Sequence, residues 1–164
     1  MDLENSQLDE QEQKKIYNYC LYLLNRKDYG INELKKKLKQ KEYNDENILD
    51  VLKKLIELKY LDDARVAQNL ITSYSNKKKS QRYIKQKLIE KGFKQSLIDE
   101  LFLEYNQEAD NAVIIAKKLL LKTDMNVKEE IEKYFRKMAS RGFSYSCAKQ
   151  ALEIIKSESL NEFE

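Results

Sequence analysis

A chain of 164 residues with no histidine, no proline, no tryptophan, three glycines and two cysteines has few ways to do chemistry. Without histidine there is no Ser-His-Asp or Cys-His nucleophile system, no two-histidine zinc helix and no histidine-bearing zinc finger; Gly30, Gly92 and Gly142 lie too far apart for a phosphate-cradling GxGxxG or GxxxxGK[ST] loop. The 31 Lys+Arg against 28 Asp+Glu give a formal net charge of +3, but residues 1–13 hold five acids and residues 157–164 three, with no base in either, so residues 14–156 carry all 31 bases against 20 acids, a net of +11.

Leu, Ile, Lys and Glu without proline point to helix, and at 41% hydrophobic and 10% aromatic the chain is too apolar for disorder. Residues 1–13 read as an acidic segment, either the start of the first helix or flexible. Their Met-Asp-Leu-Glu opening has no basic or apolar leader region, and no apolar run in the chain approaches the ~18 residues of a membrane span. A cytoplasmic protein with no membrane contact is therefore expected, and Cys20 and Cys147, each among apolar residues at helical spacing, read as buried thiols.

Residues 14–60 form the first of three expected units. Ile16, Tyr19, Cys20, Leu23 and Leu24 recur at i, i+3, i+4, i+7 and i+8, a helix ended by Asp28-Tyr29-Gly30. Ile31, Leu34 and Leu38 carry a short basic helix that closes near Glu42-Tyr43. Asn44 or Asp45 can cap a third helix with Ile48, Val51, Leu52 and Leu55 on its inner face. The second unit, residues 61–106, starts at Asp62-Asp63, acids suited to a helix N-terminus, and runs through Val66, Ala67, Leu70, Ile71 and Tyr74. After Lys77-Lys78-Lys79, Ser80 can cap the helix of Ile84 and Leu88, and Gln95 or Ser96 opens the next. The third unit, residues 107–156, uses Val113, Ala116, Leu119 and Leu120, then Ile131, Tyr134, Phe135 and Met138, then Cys147, Ala148, Ala151, Leu152 and Ile155; residues 157–164 are an acidic tail.

The units repeat with a period of fifty. Leu34, Leu38, Lys41, Tyr43, Ile48, Val51 and Leu52 fall on Ile84, Leu88, Lys91, Phe93, Ile98, Leu101 and Phe102, and then on Tyr134, Met138, Arg141, Phe143, Ala148, Ala151 and Leu152. Gly92 and Gly142 follow the basic helix at equivalent places and suit the left-handed residue that ends a helix; Glu42 stands there in the first unit, which should close with a different turn or with strain. Tyr29, Tyr43, Phe93 and Phe143 read as packing between helices.

On the middle helix of the first unit, at about 100° per residue, Lys35 and Lys39 flank the apolar sector on one side, Lys37 and Lys41 on the other, and Lys36 opposes it. Basic ridges thus recur at 35–41, 82–91 and 133–141. The candidate contact residues are Lys35, Lys36, Lys37 and Lys39; Lys77, Lys78, Lys79, Arg82, Lys85, Lys87 and Lys91; and Lys133, Arg136 and Lys137, where Glu129, Glu130 and Glu132 dilute the charge. Such ridges suit a long acidic or periodic partner.

Four segments resemble the RecX family of regulators of the RecA recombinase. They are Arg26-Lys27-Asp28-Tyr29 followed by Glu33-Leu34 and Lys37-Leu38; Tyr60-Leu61-Asp62-Asp63-Ala64-Arg65-Val66-Ala67; Ile84 through Leu88 to Lys91-Gly92-Phe93; and Arg141-Gly142-Phe143-Ser144-Tyr145. Ser80-Gln81 departs from the glycine-led turn the family often has there, and Val66 from its usual phenylalanine. The resemblance spans residues 14–156 and implies an all-α fold: an elongated, curved tandem array of three three-helix repeats. It further implies a monomer that lies in the groove of the RecA filament on single-stranded DNA and restrains its growth, ATP hydrolysis, strand exchange and co-protease activity. It implies no catalytic residue, cofactor or metal. Asp28, Tyr29, Leu34, Leu38, Tyr60, Leu61, Asp62, Asp63, Arg65, Gly92, Gly142 and Phe143 are its motif residues, with Asp62 and Asp63 expected to cap a helix and Arg65 to pair within the repeat or across its junction. Three-helix units with basic middle helices also fit a helix-turn-helix-like protein that binds single-stranded or duplex DNA directly.

Overall fold

Apolar residues at helical spacing with no proline to interrupt them build a wholly helical chain, and the computed structural model, which describes residues 2–121 and 127–161, contains nine helices and no strand among them. In order these are α1 (Asp2–Leu24), α2 (Ile31–Lys39), α3 (Asp45–Glu57), α4 (Asp63–Asn76), α5 (Gln81–Glu90), α6 (Gln95–Leu101), α7 (Glu108–Leu120), α8 (Lys128–Ser140) and α9 (Tyr145–Asn161). None of them is long and apolar enough to cross a membrane. The described residues divide into two compact units. One runs to Asn69 and includes Ile89–Leu97; the other joins Leu70–Leu88 to the residues from Ile98 onward.

In the first unit α1 and α2 both pack on α3. The core is Ile16, Cys20 and Leu23 from α1, Leu34 and Leu38 from α2, Ile48, Val51, Leu52 and Leu55 from α3, with Tyr29 and Leu61 closing its ends. Each such aliphatic side chain contributes about 1.5–3 kcal/mol by leaving water. Asn44 makes the expected cap: its Oδ1 accepts from Glu46 N–H at 2.8 Å and Asn47 N–H at 3.4 Å. The acidic N-terminal residues take part too. Asp9 and Glu12 accept from Asn47 Nδ2 at 3.1 and 2.6 Å, and Gln13 Nε2 donates to Asn47 Oδ1 at 3.0 Å, so a buried amide ties α1 to α3.

In the second unit α7, α8 and α9 pack mutually around Ala112, Ala116, Leu120, Tyr134, Met138, Phe143, Ala148, Ala151, Leu152 and Ile155. Tyr134, almost fully buried, donates from its hydroxyl to Ala148 O at 2.7 Å, and burial pushes its pKa up to about 12. Ser75 on α4, also buried, bonds Gln107, Asn111 Nδ2 at 3.2 Å and the Tyr105 hydroxyl at 3.3 Å, a fully partnered polar knot under α7.

The fifty-residue register holds where the middle and third helices pack. Positions 34/84/134, 38/88/138, 48/98/148 and 52/102/152 are all buried. First helices slide against it: Ile16 and Cys20 of α1 correspond in burial to Ala67 and Ile71 of α4 and to Ala112 and Ala116 of α7, offsets of 51 and then 45 residues, because the connecting loops differ in length. After each middle helix the chain turns through a left-handed residue, Glu42 at φ 60°, Gly92 at 86° and Gly142 at 87°. The first repeat keeps the same turn and bears the strain of a side chain there. At Gly92 a Cβ would also come within 3.0 Å of Asn32 Cβ, and the Asn32 amide donates to Gly92 O at 2.6 Å. Cys20 is a free buried thiol with its pKa raised to about 11 by burial, and Cys147 is free and half-buried.

Candidate functional site

The Asp-Asp pair at the head of α4 splits into two tasks. Asp62 caps its own helix, accepting from Arg65 N–H at 3.0 Å. Asp63, expected to do the same, instead accepts from Ile31 N–H at 2.8 Å and so caps α2. The next unit repeats this: Glu108 in the first turn of α7 accepts from Gln81 N–H, the first residue of α5, at 2.5 Å, while Ser80 Oγ accepts from Tyr83 N–H at 3.2 Å. Burial raises the pKa of both carboxyls, against the lowering effect of the N–H they accept. A basic helix therefore has its N-terminus held by an acid from the repeat that follows, within the same compact unit, a contact too distant in sequence to read from local capping rules. Among the described residues no cap of this kind appears on α8, whose N-cap residue Val127 has no side chain able to accept. Arg65 reaches Asp28 at 3.5 Å, as expected of a junction pair.

Not all candidate contact residues are equally available. At least nine Lys or Arg head groups lie over aromatic rings among the described residues, 4.2 to 5.9 Å from the ring centres. Several of the ridge lysines are therefore part of the packing. Lys37 lies 5.9 Å from the centre of the buried Tyr29 ring, and Lys85 sits 5.0 Å over Phe102 and 3.8 Å from Asp99. Lys39 pairs with Asp45 at 2.9 Å. Lys77 covers Tyr74, while Lys79 and Lys87 cover Tyr83, the two rings meeting edge to face at 5.7 Å. Lys78 holds a left-handed backbone at φ 57°.

The heads left open are Lys36 and Arg82, with Lys133, Arg136 and Lys137 on α8. All five are exposed, and none has a carboxylate partner among the described residues. Lys35 is half-buried and likewise without one. Lys91, grouped by sequence with the second ridge, stands with the first: its Nζ is 3.4 Å from Glu33 of α2, and with Lys36, Lys37, Gln40 and Glu90 it lines a shallow groove of about 350 Å³. Glu33 also takes Lys27 at 2.8 Å; burial pushes its pKa up, but the two lysines overcome that and hold it below the usual carboxylate range. The same contact raises Lys27.

The motif residues sort by burial. Tyr29, Leu34, Leu38, Leu61 and Phe143 are core, and Gly92 and Gly142 are turn residues. Tyr60 is different: it is half exposed and, with Tyr22, Leu24, Lys59, Asp62 and Arg65, lines a groove of about 970 Å³. Sequence reasoning missed Tyr22 and Lys59. Tyr22 lies between the buried Cys20 and Leu23 of α1 but off their stripe, where helical geometry places it in water, and Lys59 lies in a left-handed turn that nothing local announces.

Against known proteins, the first three-helix domain of RecX matches residues 17–55 and the second three-helix domain residues 62–101. The regulatory protein RecX of Actinobacillus pleuropneumoniae serotype 5b (strain L20) is 35% identical over 135 residues, covering 77% of this chain and 83% of the relative. That of Chlorobium phaeobacteroides (strain BS1) is 28% identical over 146 residues, 88% of this chain and 95% of the relative. Among solved structures, the crystal structure of RecX from Lactobacillus salivarius superimposes with a TM-score of 0.82 at 21% identity, over 90% of this chain and 98% of that one, a likeness of fold.

Proposed function

The chain belongs to the RecX family of regulatory proteins, and from that premise we propose that it is a non-catalytic negative modulator of the RecA recombinase. It binds in the groove of the RecA filament on single-stranded DNA and checks filament extension, ATP hydrolysis, strand exchange and co-protease activity. The observation that supports this is the open positive charge carried by the middle helix of each repeat: Lys36 on α2, Arg82 on α5, and Lys133, Arg136 and Lys137 on α8 are exposed and have no carboxylate partner among the described residues. Repeated cations on a repeated scaffold favour a partner that is itself acidic and periodic. Lys37, Lys39, Lys77, Lys79, Lys85, Lys87 and Lys91 contribute to the same field with their heads engaged on rings or carboxylates within the chain, and Lys35 and Lys78 add to it. We take the acting species to be a monomer in the cytoplasm, built of the three repeats 14–60, 61–106 and 107–156.

The test is a titration of single-strand-dependent ATP hydrolysis with this protein at well below one per recombinase. Turnover falls if the proposal holds and stays flat if it does not. The double variant Lys36→Glu with Arg82→Glu, both exposed, should weaken inhibition and leave the melting temperature unchanged.

A second reading, direct binding to nucleic acid, draws on the Lys77, Lys79 and Lys87 cations gathered over the half-buried Tyr74–Tyr83 pair, a cluster of positive charge that a phosphate backbone can meet. If about four phosphates were neutralised, log K would fall with log salt at a slope of about −3 to −4. No measurable affinity for duplex or single strands at low salt would remove this reading.

A further inference from the structure

The Tyr22–Tyr60 groove has a composition that the lysine ridges lack. Its exposed aromatic faces, Tyr22 at 55% and Tyr60 at 50%, stand beside the half-buried Leu21 and Leu24. Tyrosine and arginine around an apolar floor is the make-up of protein–protein hot spots, where a partner side chain is desolvated against rings. In the register of the first helices Ser73 stands for Tyr22 in the second repeat, and Tyr105, whose hydroxyl donates to Ser75, stands for Tyr60 ahead of the third, so the exposed tyrosine pair belongs to the first repeat.

The charges say what would fit. Asp28 and Asp62 line the groove, the first paired with Arg65 at 3.5 Å and the second spent partly on the Arg65 N–H. The two carboxylates can accept the N–H groups of a peptide backbone, donors that a phosphate backbone does not offer. Two cations offset these carboxylates. Among the described residues Arg26, beside the groove on Tyr22, has only a neutral partner, donating to the Tyr22 hydroxyl at 2.6 Å with its guanidinium 5.4 Å from the ring centre, and Lys59, which lines the groove, has no carboxylate partner. A segment that seats an apolar side chain between the tyrosines and sets a carboxylate beside it would meet Arg26 and Lys59, while its backbone N–H groups face Asp28 and Asp62.

We propose that this groove binds an acidic peptide segment with an apolar anchor on the recombinase itself, so that the first repeat grips protein while the basic ridges face phosphate. The inference rests on the filament-binding reading above and adds where the protein half of the contact lies. The experiment is co-sedimentation of the full chain with recombinase filaments assembled on oligo(dT), and separately with oligo(dT) alone. The wild type is compared with Tyr22→Ala/Tyr60→Ala and with Arg26→Glu/Lys59→Glu, the latter confined to exposed head groups so that loss of packing is not at issue. Both variants should lose about tenfold or more in filament affinity and stay within about twofold of wild type on the naked strand. Filament affinity unchanged in both variants overturns the groove and leaves the filament reading intact. Parallel loss on filament and naked strand overturns the peptide occupant in favour of nucleic acid. Failure of the wild type to sediment with filaments overturns the reading and the groove together.

Discussion

Helices α2 and α5 compared with α8 show how far a repeat can diverge without losing its packing. All three bury the same two positions, Leu34 and Leu38, Ile84 and Leu88, Tyr134 and Met138, and all three end in a left-handed residue. Their outsides differ. The N-termini of α2 and α5 are held by Asp63 and Glu108 from the following repeat, and basic residues outnumber acidic ones on both helices; α8 has no such cap among the described residues and begins Lys-Glu-Glu-Ile-Glu. Packing is thus the repeated quantity, and charge and capping are set unit by unit.

The largest expected effect should leave the comparison standing. Leu38→Ala, Leu88→Ala and Met138→Ala each remove a fully buried side chain and should cost about 2–5 kcal/mol in chemical denaturation, with no systematic difference between the repeats. If Met138→Ala were nearly neutral, the third repeat would be packed on different terms. Next in size are the turns. Gly92→Ala, at φ 86° and against Asn32, should destabilise by about 1–2 kcal/mol. The reverse change, Glu42→Gly, removes the strain peculiar to the first repeat and should raise stability by a fraction of that, read as a higher melting temperature.

Capping comes third. Asp63→Ala and Glu108→Ala each leave the first N–H of a basic helix without its acceptor and should cost about 1 kcal/mol, while Val127→Ala on α8 costs less. The smallest effect is the pH dependence of the same two sites. Their folded pKa values are raised, so the protonated form is favoured by folding: the stabilisation is complete below the ordinary carboxylate range and is lost as pH rises through the folded values. Asp63→Asn with Glu108→Gln keeps an acceptor and removes the buried charge. Relative to wild type it should gain stability as pH rises through the carboxylate range, in denaturation curves taken at several pH values. Glu33 carries the opposite sign. Its pKa is lowered, its contribution is present above the ordinary range and lost on acidification, and Glu33→Gln should flatten the acid limb.

The architecture was legible because it depends on local spacing. Apolar residues three and four apart define helices, the glycines after the basic helices define turns, and a fifty-residue register defines a repeat. The caps of α3 by Asn44 and α5 by Ser80 were legible for the same reason, being contacts within four residues. The interaction surface was legible only as composition. Sequence places Lys37 and Lys85 toward solvent, but both are half-buried, and that their heads rest on Tyr29 and Phe102 depends on residues 8 and 17 positions away on other elements.

The sequence by itself determined an all-helical chain of repeated three-helix units, its basic body and acidic ends, and the family whose motifs it carries. Only the tertiary structure decided that Asp63 caps α2, that Lys91 stands with Glu33, that the acids Asp9 and Glu12 fasten α1 to α3, and that Tyr22 and Tyr60 share a groove. The physical reason is range. Helix propensity and periodicity act over a few residues, whereas a carboxylate's partner is chosen by which N–H or ammonium the packed helices bring within about 3 Å.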